Sequence, residues 1–532
     1  MFAAQRISYN QANTFTKIVL DYLSGSEKLK PFYTEVPTLQ GIEATIKAKQ
    51  KQPVDRNLLV DVLQQQYKTV KNTDAVKKNV ELLLSSDTFT ITTAHQPNLF
   101  TGPLYFIYKI LHAIKLADCL KEQLSQYNFV PVYYMGSEDA DFAELNHTYV
   151  DGKKIEWKKE QKGAVGRMIV DKALVQLIDE LEGQLSNEAH GEEVIQLLRR
   201  CYSNGKTIQQ ATFEIVNELF GSYGLVVLIA DHPALKAVMN NVFEDDLFKN
   251  TPAGIVQQTS AKLEEQYNVQ AHPREINLFY LKDDIRERII RKENIFIVHN
   301  TTLSFTEVEL KEELEHHPER FSPNVILRGL YQETILPNLA FIGGGGEMAY
   351  WLQLKDLFEH YKVVYPVLIL RNSFLVVEEK WKTKIQKLGF AIVDFFLPQN
   401  ELMNLLVAKN AEHPISLNGN FEKAEELFEQ IKTQAGAIDV TLSQHVAAIK
   451  ARSLRTLQEL EKKMLRAEKR KFSDHERQIQ TIKDSLFPGN GLQERKENFS
   501  SLYAKWGSGF IEELYQSSLA LEQEFVILSQ IH

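Results

Sequence analysis

Between residue 89 and about residue 395, short apolar runs alternate with stretches of helical spacing. The runs are FTITTA at 89–94, FVPVYYM at 129–135, LVVLIA at 225–230, NLFYL at 277–281, IFIV at 295–298 and VVYPVLIL at 363–370. Strands buried between helices need runs of this kind, and the rhythm predicts a largely parallel α/β sheet. In such sheets ligands bind beyond the carboxyl ends of the strands. Polar residues that directly follow the runs are therefore the first candidates for function.

The bulk properties narrow the classes. With 532 residues, 44% hydrophobic and 25% charged, the chain is long enough for more than one domain and an extensive core. A formal charge of -9 argues against a general nucleic-acid-binding surface. Cys119 and Cys201 form no CxxC pair, so neither a disulfide framework nor a structural zinc site is indicated, and a reducing cytosol fits. The N-terminus lacks an apolar signal core and no run of about eighteen apolar residues occurs, so a soluble cytoplasmic protein without a membrane partner is expected.

Residues 1–86 read as an N-terminal arm followed by helices over VDRNLLVDVLQQQY and TDAVKKNVELLLSS, and about 150–222 reads as a polar, mostly helical insertion. The core is thus expected over 1–395. Strand signals nearly vanish after it, and 440–487 contains neither Pro nor Gly before PGNG at 488–491. Leu457, Leu460, Met464 and Ala467 repeat at coiled-coil spacing until Lys471 interrupts the pattern. An antiparallel hairpin within one chain or across a dimer suits it. A helical domain over 396–532, closed by a returning C-terminal helix, is the expectation.

Three segments carry the polar chemistry. After 89–94, His95, Gln96, Asn98, Thr101, Gly102 and Pro103 form a turn that opens a strongly apolar helix. His95 precedes a helix start, where backbone N–H groups can hold an anion; capping or packing is its plainer role. In the helix, Tyr105, Lys109 and His112 share a face. Lys109 needs a partner there, either a bound phosphate or carboxylate or a structural acid. The run 129–135 exits into Ser137, Glu138, Asp139, Asp141, Glu144, Asn146 and His147. Asp139 or Asp141 suits a helix cap, the acids together suit a ligand amine or nucleotide-bound magnesium, and His147 suits a general base or a core site. The third segment, 321–361, places Arg328 and Glu333 near Gly343, Gly344, Gly345 and Gly346, directly before a helix. Such a glycine run either lets backbone approach a ligand or makes a tight connection, and it is neither GxGxxG nor a P-loop.

At these segments the chain resembles the bacillithiol biosynthesis cysteine-adding enzyme family, BshC. The HQ…TGP turn (His95, Gln96, Thr101, Gly102, Pro103) and SED.D..E.NH (Ser137, Glu138, Asp139, Asp141, Glu144, Asn146, His147) carry the resemblance. So does SPNV.LR.L.QE..LP..A..GG.GE.AYW, here Ser322, Pro323, Asn324, Arg328, Gln332, Glu333, Pro337, Gly343, Gly344, Gly346, Glu347 and Trp351. PREINLFYLKDDIRERI at 273–289 also looks like the family, while Ala94, Gly329 and Gly345 depart from its pattern.

The resemblance implies a Rossmann-like parallel-sheet core with inserted connecting segments, plus an all-α coiled-coil domain that supports a homodimer. It also implies a ligase that joins cysteine to the amine of glucosaminyl-malate through an amide bond. A carboxylate does not acylate an amine unaided at neutral pH, so ATP is the expected cosubstrate, with magnesium possible, a cysteinyl adenylate as the activated form and no tightly bound metal. No KMSKS-type lysine loop is recognisable. On this reading the catalytic candidates are His95, Glu138, Asp139, Asp141 and His147, which meet the activated carboxylate or the amine. Gln96, Asn98, Thr101, Gly102, Lys109, Ser137, Asn324, Arg328, Gly343 to Gly346 and Glu347 are the candidates for binding substrate or nucleotide. The competing reading is a non-catalytic nucleotide- or metabolite-binding coiled-coil dimer.

Overall fold

The computed structural model describes residues 1–70, 74–159, 162–410 and 416–531. They form two compact units, one of 1–376 with 491–531 and the other of 377–490. The first is built on a five-stranded sheet whose members are β1 (Thr88–His95), β2 (Asn128–Met135), β3 (Val226–Ile229), β4 (Asn338–Gly343) and β5 (Val367–Leu370). All neighbours are parallel and the order is β5-β4-β1-β2-β3. The chain thus moves outward from β1 to β3 and then returns to the other side of β1. This order is that of a Rossmann sheet, with its switch point between β1 and β4.

Helix α1 (Tyr105–Gln123) links β1 to β2, and Ala113, Leu116, Ala117 and Leu120 on it pack against the sheet. Two more helices, α2 (Val325–Ile335) and α3 (Gly345–Trp351), precede and follow β4 in the chain. Ile42 and Ile46 of the N-terminal helix Leu39–Lys49 join the sheet core with Phe89, Ile91, Ile342 and Ile369. Each such side chain contributes about 1.5–3 kcal/mol when fully buried. The threonines of β1 are buried too. Thr92 donates to Asn338 Oδ1 at 2.7 Å and Thr93 to the Ile342 carbonyl at 2.9 Å, which satisfies both hydroxyls. The two N-terminal helices expected from sequence are present as Arg56–Tyr67 and Asp74–Leu82, with Thr73 outside the described residues, and Leu39–Lys49 is a further helix that the sequence reading did not single out.

Two expectations need correction. The runs 277–281 and 295–298 do not join the parallel sheet. Leu278–Lys282, Ile285–Lys292 and Ile295–Val298 pair antiparallel within a separate five-stranded sheet that also contains Ser304–Thr306 and Phe321–Pro323. Short connections such as that between Lys282 and Ile285 permit only antiparallel pairing, because a parallel crossover takes a dozen residues or more. Likewise 491–531 is not part of the helical domain. After the helices Phe499–Trp506 and Ser508–Ser517 it ends as a strand, Phe525–Gln530, paired antiparallel with Phe2–Ile7 in a three-stranded sheet with Ser373–Val377. The apolar, β-branched FVIL run suits a strand, and the N-terminal arm supplies its edge.

The second unit is helical. Helix α4 (Asn418–Ile438) and helix α5 (Val440–Lys469) form an antiparallel hairpin joined at Asp439, whose carboxylate accepts the Thr441 N–H at 2.8 Å. Lys450 of α5 reaches Glu429 of α4 at 2.9 Å. The 440–487 stretch is therefore not one helix. A 3-10 turn at Arg470–Phe472 separates α5 from α6 (Ser473–Leu486), at the place where Lys471 breaks the apolar repeat. Among the described residues no helix is long and apolar enough to cross a membrane.

Candidate active site

A cavity of about 890 Å³ opens at the carboxyl ends of β1, β2, β4 and β5. His95 ends β1 and Gln96 follows it, Gly136 and Asp139 follow β2, Gly344 to Glu347 follow β4, and Arg371 follows β5; all line it. The site thus lies at the topological switch point, where the sheet leaves a crevice. Helix α2, capped by the Asn324 side chain, contributes Val325 and Arg328, and the first turn of α3 contributes Glu347. The antiparallel sheet adds Phe279 and Arg286 to the wall, and the segment after residue 490 adds Arg495.

The wall is rich in guanidinium groups. Arg286 lies 4.1 Å above the Phe279 ring, and its Nε donates to Ser322 Oγ at 3.2 Å. Burial, with Arg328 nearby, pushes its pKa down to about 10. Arg328 meets Asp139 at 3.6 Å, and Gln96 Nε2 donates to the same carboxylate at 3.3 Å. Burial opposes ionisation of Asp139, but Arg328 and Arg286 outweigh it and hold this carboxyl below its usual range. Glu144 shifts the other way, raised by burial and by the charges of Asp139 and Asp141. Burial, together with Lys109 and Arg371, holds His95 well below the usual imidazole range, so its ring is neutral, and its Nε2 is buried without a hydrogen-bond partner among the described residues. Among the described residues no carboxylate lies within 4.0 Å of Arg274, Arg286 or Arg495. Such a wall is suited to carboxylate or phosphate groups.

Of the residues expected from sequence, His95, Gln96, Asp139, Asn324, Arg328, Gly344, Gly345, Gly346 and Glu347 line the cavity, and Glu144 joins them. The others do not line it. Glu138 lies 2.5 Å from the fully buried Lys236, which also holds Asp231 at 2.9 Å. Asp141 caps the short helix Phe142–Leu145. His147 stands at the start of a hairpin strand, with its Nδ1 near the Ala143 carbonyl and Asn146 Oδ1. Ser137 packs behind the wall against Gly166, where a Cβ on the glycine would meet it at 2.5 Å.

Asn98, Thr101 and Gly102 also lie behind the wall rather than in it. Phe100, Thr101 and Gly102 have φ of 50°, 71° and 68°, and Asn498 Nδ2 donates to the carbonyls of Phe100 and Gly102 at 2.8 and 2.6 Å. Lys109 takes the structural acid of its two candidate partners: its Nζ reaches Glu347 at 2.6 Å and the Ala94 carbonyl at 2.7 Å. Glu347 also accepts the Gly344 N–H at 2.7 Å, so the start of α3 is already occupied by its own carboxylate. The glycine run is not one turn. Gly343 ends β4, Gly345 and Gly346 begin α3, and none of the run has positive φ. Space is what requires Gly343, where a Cβ would meet the Phe341 ring at 2.8 Å. Glu333 is buried away from the cavity and accepts from Asn338 Nδ2 and Gln332 Nε2.

Sequence reasoning missed Arg286, Arg371 and Arg495. Arg371 follows a buried strand, the same signal that identifies His95. Arg286 sits in a stretch, IRERIIRK, whose charges mask its strand character. Arg495 is more than a hundred residues from the nearest sheet strand that builds the site, and no local pattern marks it.

The fold and the cavity define a Rossmann-like α/β protein with a guanidinium-walled site at the switch point of its sheet. The chain belongs to the BshC family. The family model "Bacillithiol biosynthesis BshC, N-terminal Rossmann-like domain" matches residues 2–372, and "Bacillithiol biosynthesis BshC, C-terminal coiled-coil domain" matches 374–530. A protein of Flavobacterium johnsoniae named "Putative cysteine ligase BshC" is 41% identical over 525 residues, covering 98% of this chain and 99% of that one. A protein of Christiangramia forsetii with the same name is 41% identical over 530 residues, covering 98% of each. The matched coiled-coil region includes 491–530, which folds into the first unit here.

Proposed function

We propose that this cavity is the active site of a cysteine ligase of bacillithiol biosynthesis, joining the cysteine carboxyl to the amine of glucosaminyl-malate. The observation that carries the reading is the wall formed by Arg286 and Arg328, which share the charge of Asp139 beside the neutral His95. Malate brings two carboxylates, and a pair of guanidinium groups with one acid between them retains positive charge for such a group. The glucosamine nitrogen must lose a proton before it attacks the carboxyl carbon. Asp139, held ionised, is suited to orient the ammonium. Glu144, with its raised pKa, is suited to take the proton, whereas His95, held neutral, is suited to hydrogen-bond the substrate through its unpartnered Nε2 rather than to be protonated. ATP, as cosubstrate, would supply a leaving group for the carboxyl oxygen, and the guanidinium groups of the wall fit its phosphates, with any magnesium carried by the nucleotide. A homodimer formed through the α4–α5 hairpin completes the proposal.

The test is incubation of the purified chain with glucosaminyl-malate, cysteine, ATP and magnesium, with mass detection of the thiol product and of AMP. Product with equimolar AMP is expected, and Arg286→Ala and Asp139→Asn should each lower kcat/KM by about 100-fold, the scale of losing a charge-assisted contact made in the transition state. Product without AMP excludes this activation route. No product from the folded chain sinks the ligase reading.

A further inference from the structure

We propose that Arg495 is an anion-binding residue of the site, presented by a locked strap, Leu492–Asn498, to take a carboxylate or phosphate oxygen of a substrate. The proposal rests on the reading of the cavity as the active site. The strap is fixed at nearly every polar group. Gln493 Oε1 accepts the Val376 N–H at 3.1 Å, and Glu494 holds Arg371 at 2.7 Å and accepts the Phe374 N–H at 3.1 Å. The Glu497 carbonyl accepts the Leu104 N–H at 2.7 Å, and its carboxylate accepts the Gly152 N–H at 3.2 Å. Asn498 closes the strap by holding the positive-φ turn after β1. Leu492, Gln493, Glu494, Glu497 and Asn498 are all buried. Lys496 lies over the Tyr149 ring at 4.8 Å.

Arg495 alone is exposed in this segment and lines the cavity, with no carboxylate within 4.0 Å among the described residues. Its neighbours there are Tyr105, whose phenol feels its charge, and Arg371, which lies 5.1 Å from the same ring. Arg371 is neutralised by Glu494, whereas Arg495 has no carboxylate within 4.0 Å among the described residues, although the charge of Glu144 also reaches the Tyr105 phenol. A rigid backbone that delivers one unpaired guanidinium to a cavity lowers the ordering cost of binding an oxyanion.

Calorimetric titration of the full chain with two probes, malate and ATP with magnesium, tests this. Arg495→Ala is expected to weaken one probe about tenfold or more, the scale of a lost charge-assisted hydrogen bond, with the melting temperature unchanged, and Arg495→Lys to restore part of the loss. The weakened probe distinguishes a substrate carboxylate from a nucleotide phosphate. If Arg495→Ala leaves both affinities unchanged while Arg286→Ala weakens binding, the proposal is overturned and the active-site reading stands. If neither variant changes either affinity, or the native chain binds neither probe, both are overturned.

Discussion

His112, fully buried in α1, meets the Ala520 carbonyl through Nε2 at 2.7 Å and accepts the Asn372 N–H at Nδ1 at 3.1 Å. These partners fix the neutral tautomer with its proton on Nε2, since a proton on Nδ1 would face another donor. Burial lowers the pKa to about 4. The folded value is below the unfolded one of roughly 6.5, so the unfolded chain takes up a proton that the folded chain refuses. The stabilisation is complete above about pH 6.5 and is lost as pH falls toward about 4, by up to roughly 3 kcal/mol. His112→Gln retains one donor and one acceptor without titrating. In urea unfolding at pH 7 and pH 4.5 the variant should lose less stability than the native chain, and parallel losses would refute the assignment. In sequence, His112 reads only as a neighbour of Lys109 on one helical face. Both partners come from distant segments, which helical spacing cannot reveal.

At the scale of elements, the strands that end at the site are legible because burial on both faces writes a continuous apolar run, as in β2 and β5. The polar residues after these runs are legible as well, and position alone leads to His95 and Asp139. Which of those residues face the cavity and which hold the loop is not encoded in the pattern. Glu138 and Asp139 are adjacent, yet one pairs with Lys236 and the other lines the site. Glycines divide in the same manner. Gly102 has φ of 68°, and a Cβ there would meet Asn98 Cβ at 2.7 Å, whereas Gly346 is helical with nothing within 4 Å of its Cβ position. Gly102→Ala should therefore destabilise the chain by about 2–3 kcal/mol or more through backbone strain and overlap. Gly346→Ala should be neutral or stabilising by up to about 1 kcal/mol, through helix propensity. Chemical denaturation of both variants checks the contrast; equal effects would remove it, and a larger loss for Gly346→Ala would show that the glycine run, not the TGP turn, is the constrained backbone.

Across the whole chain, the second unit leaves apolar surface that its own fold does not cover. In α4, Leu427 and Ile431 are 53% and 39% exposed; in α5, Leu442, Ile449 and Leu460 are 39%, 43% and 47% exposed. Their separations of four, seven and eleven residues return to one side of a helix, so each helix carries a stripe rather than scattered positions. Leu457 and Met464 of the sequence-derived repeat are half-buried, whereas Leu460 and Ala467 face outward. One set of the repeat therefore serves the hairpin and the other remains open. An apolar stripe of this kind on a helical hairpin is covered most simply by the same stripe of a second copy, because an isologous contact closes after two chains. Light scattering on the native chain should give twice the 61.1 kDa chain mass, and the double variant Ile431→Lys with Ile449→Lys should give 61.1 kDa. Both positions are exposed, so the variant should fold with its secondary structure intact by circular dichroism. A native chain that stays monomeric at micromolar concentration would overturn the dimer, and a variant that stays dimeric would move the interface off the hairpin.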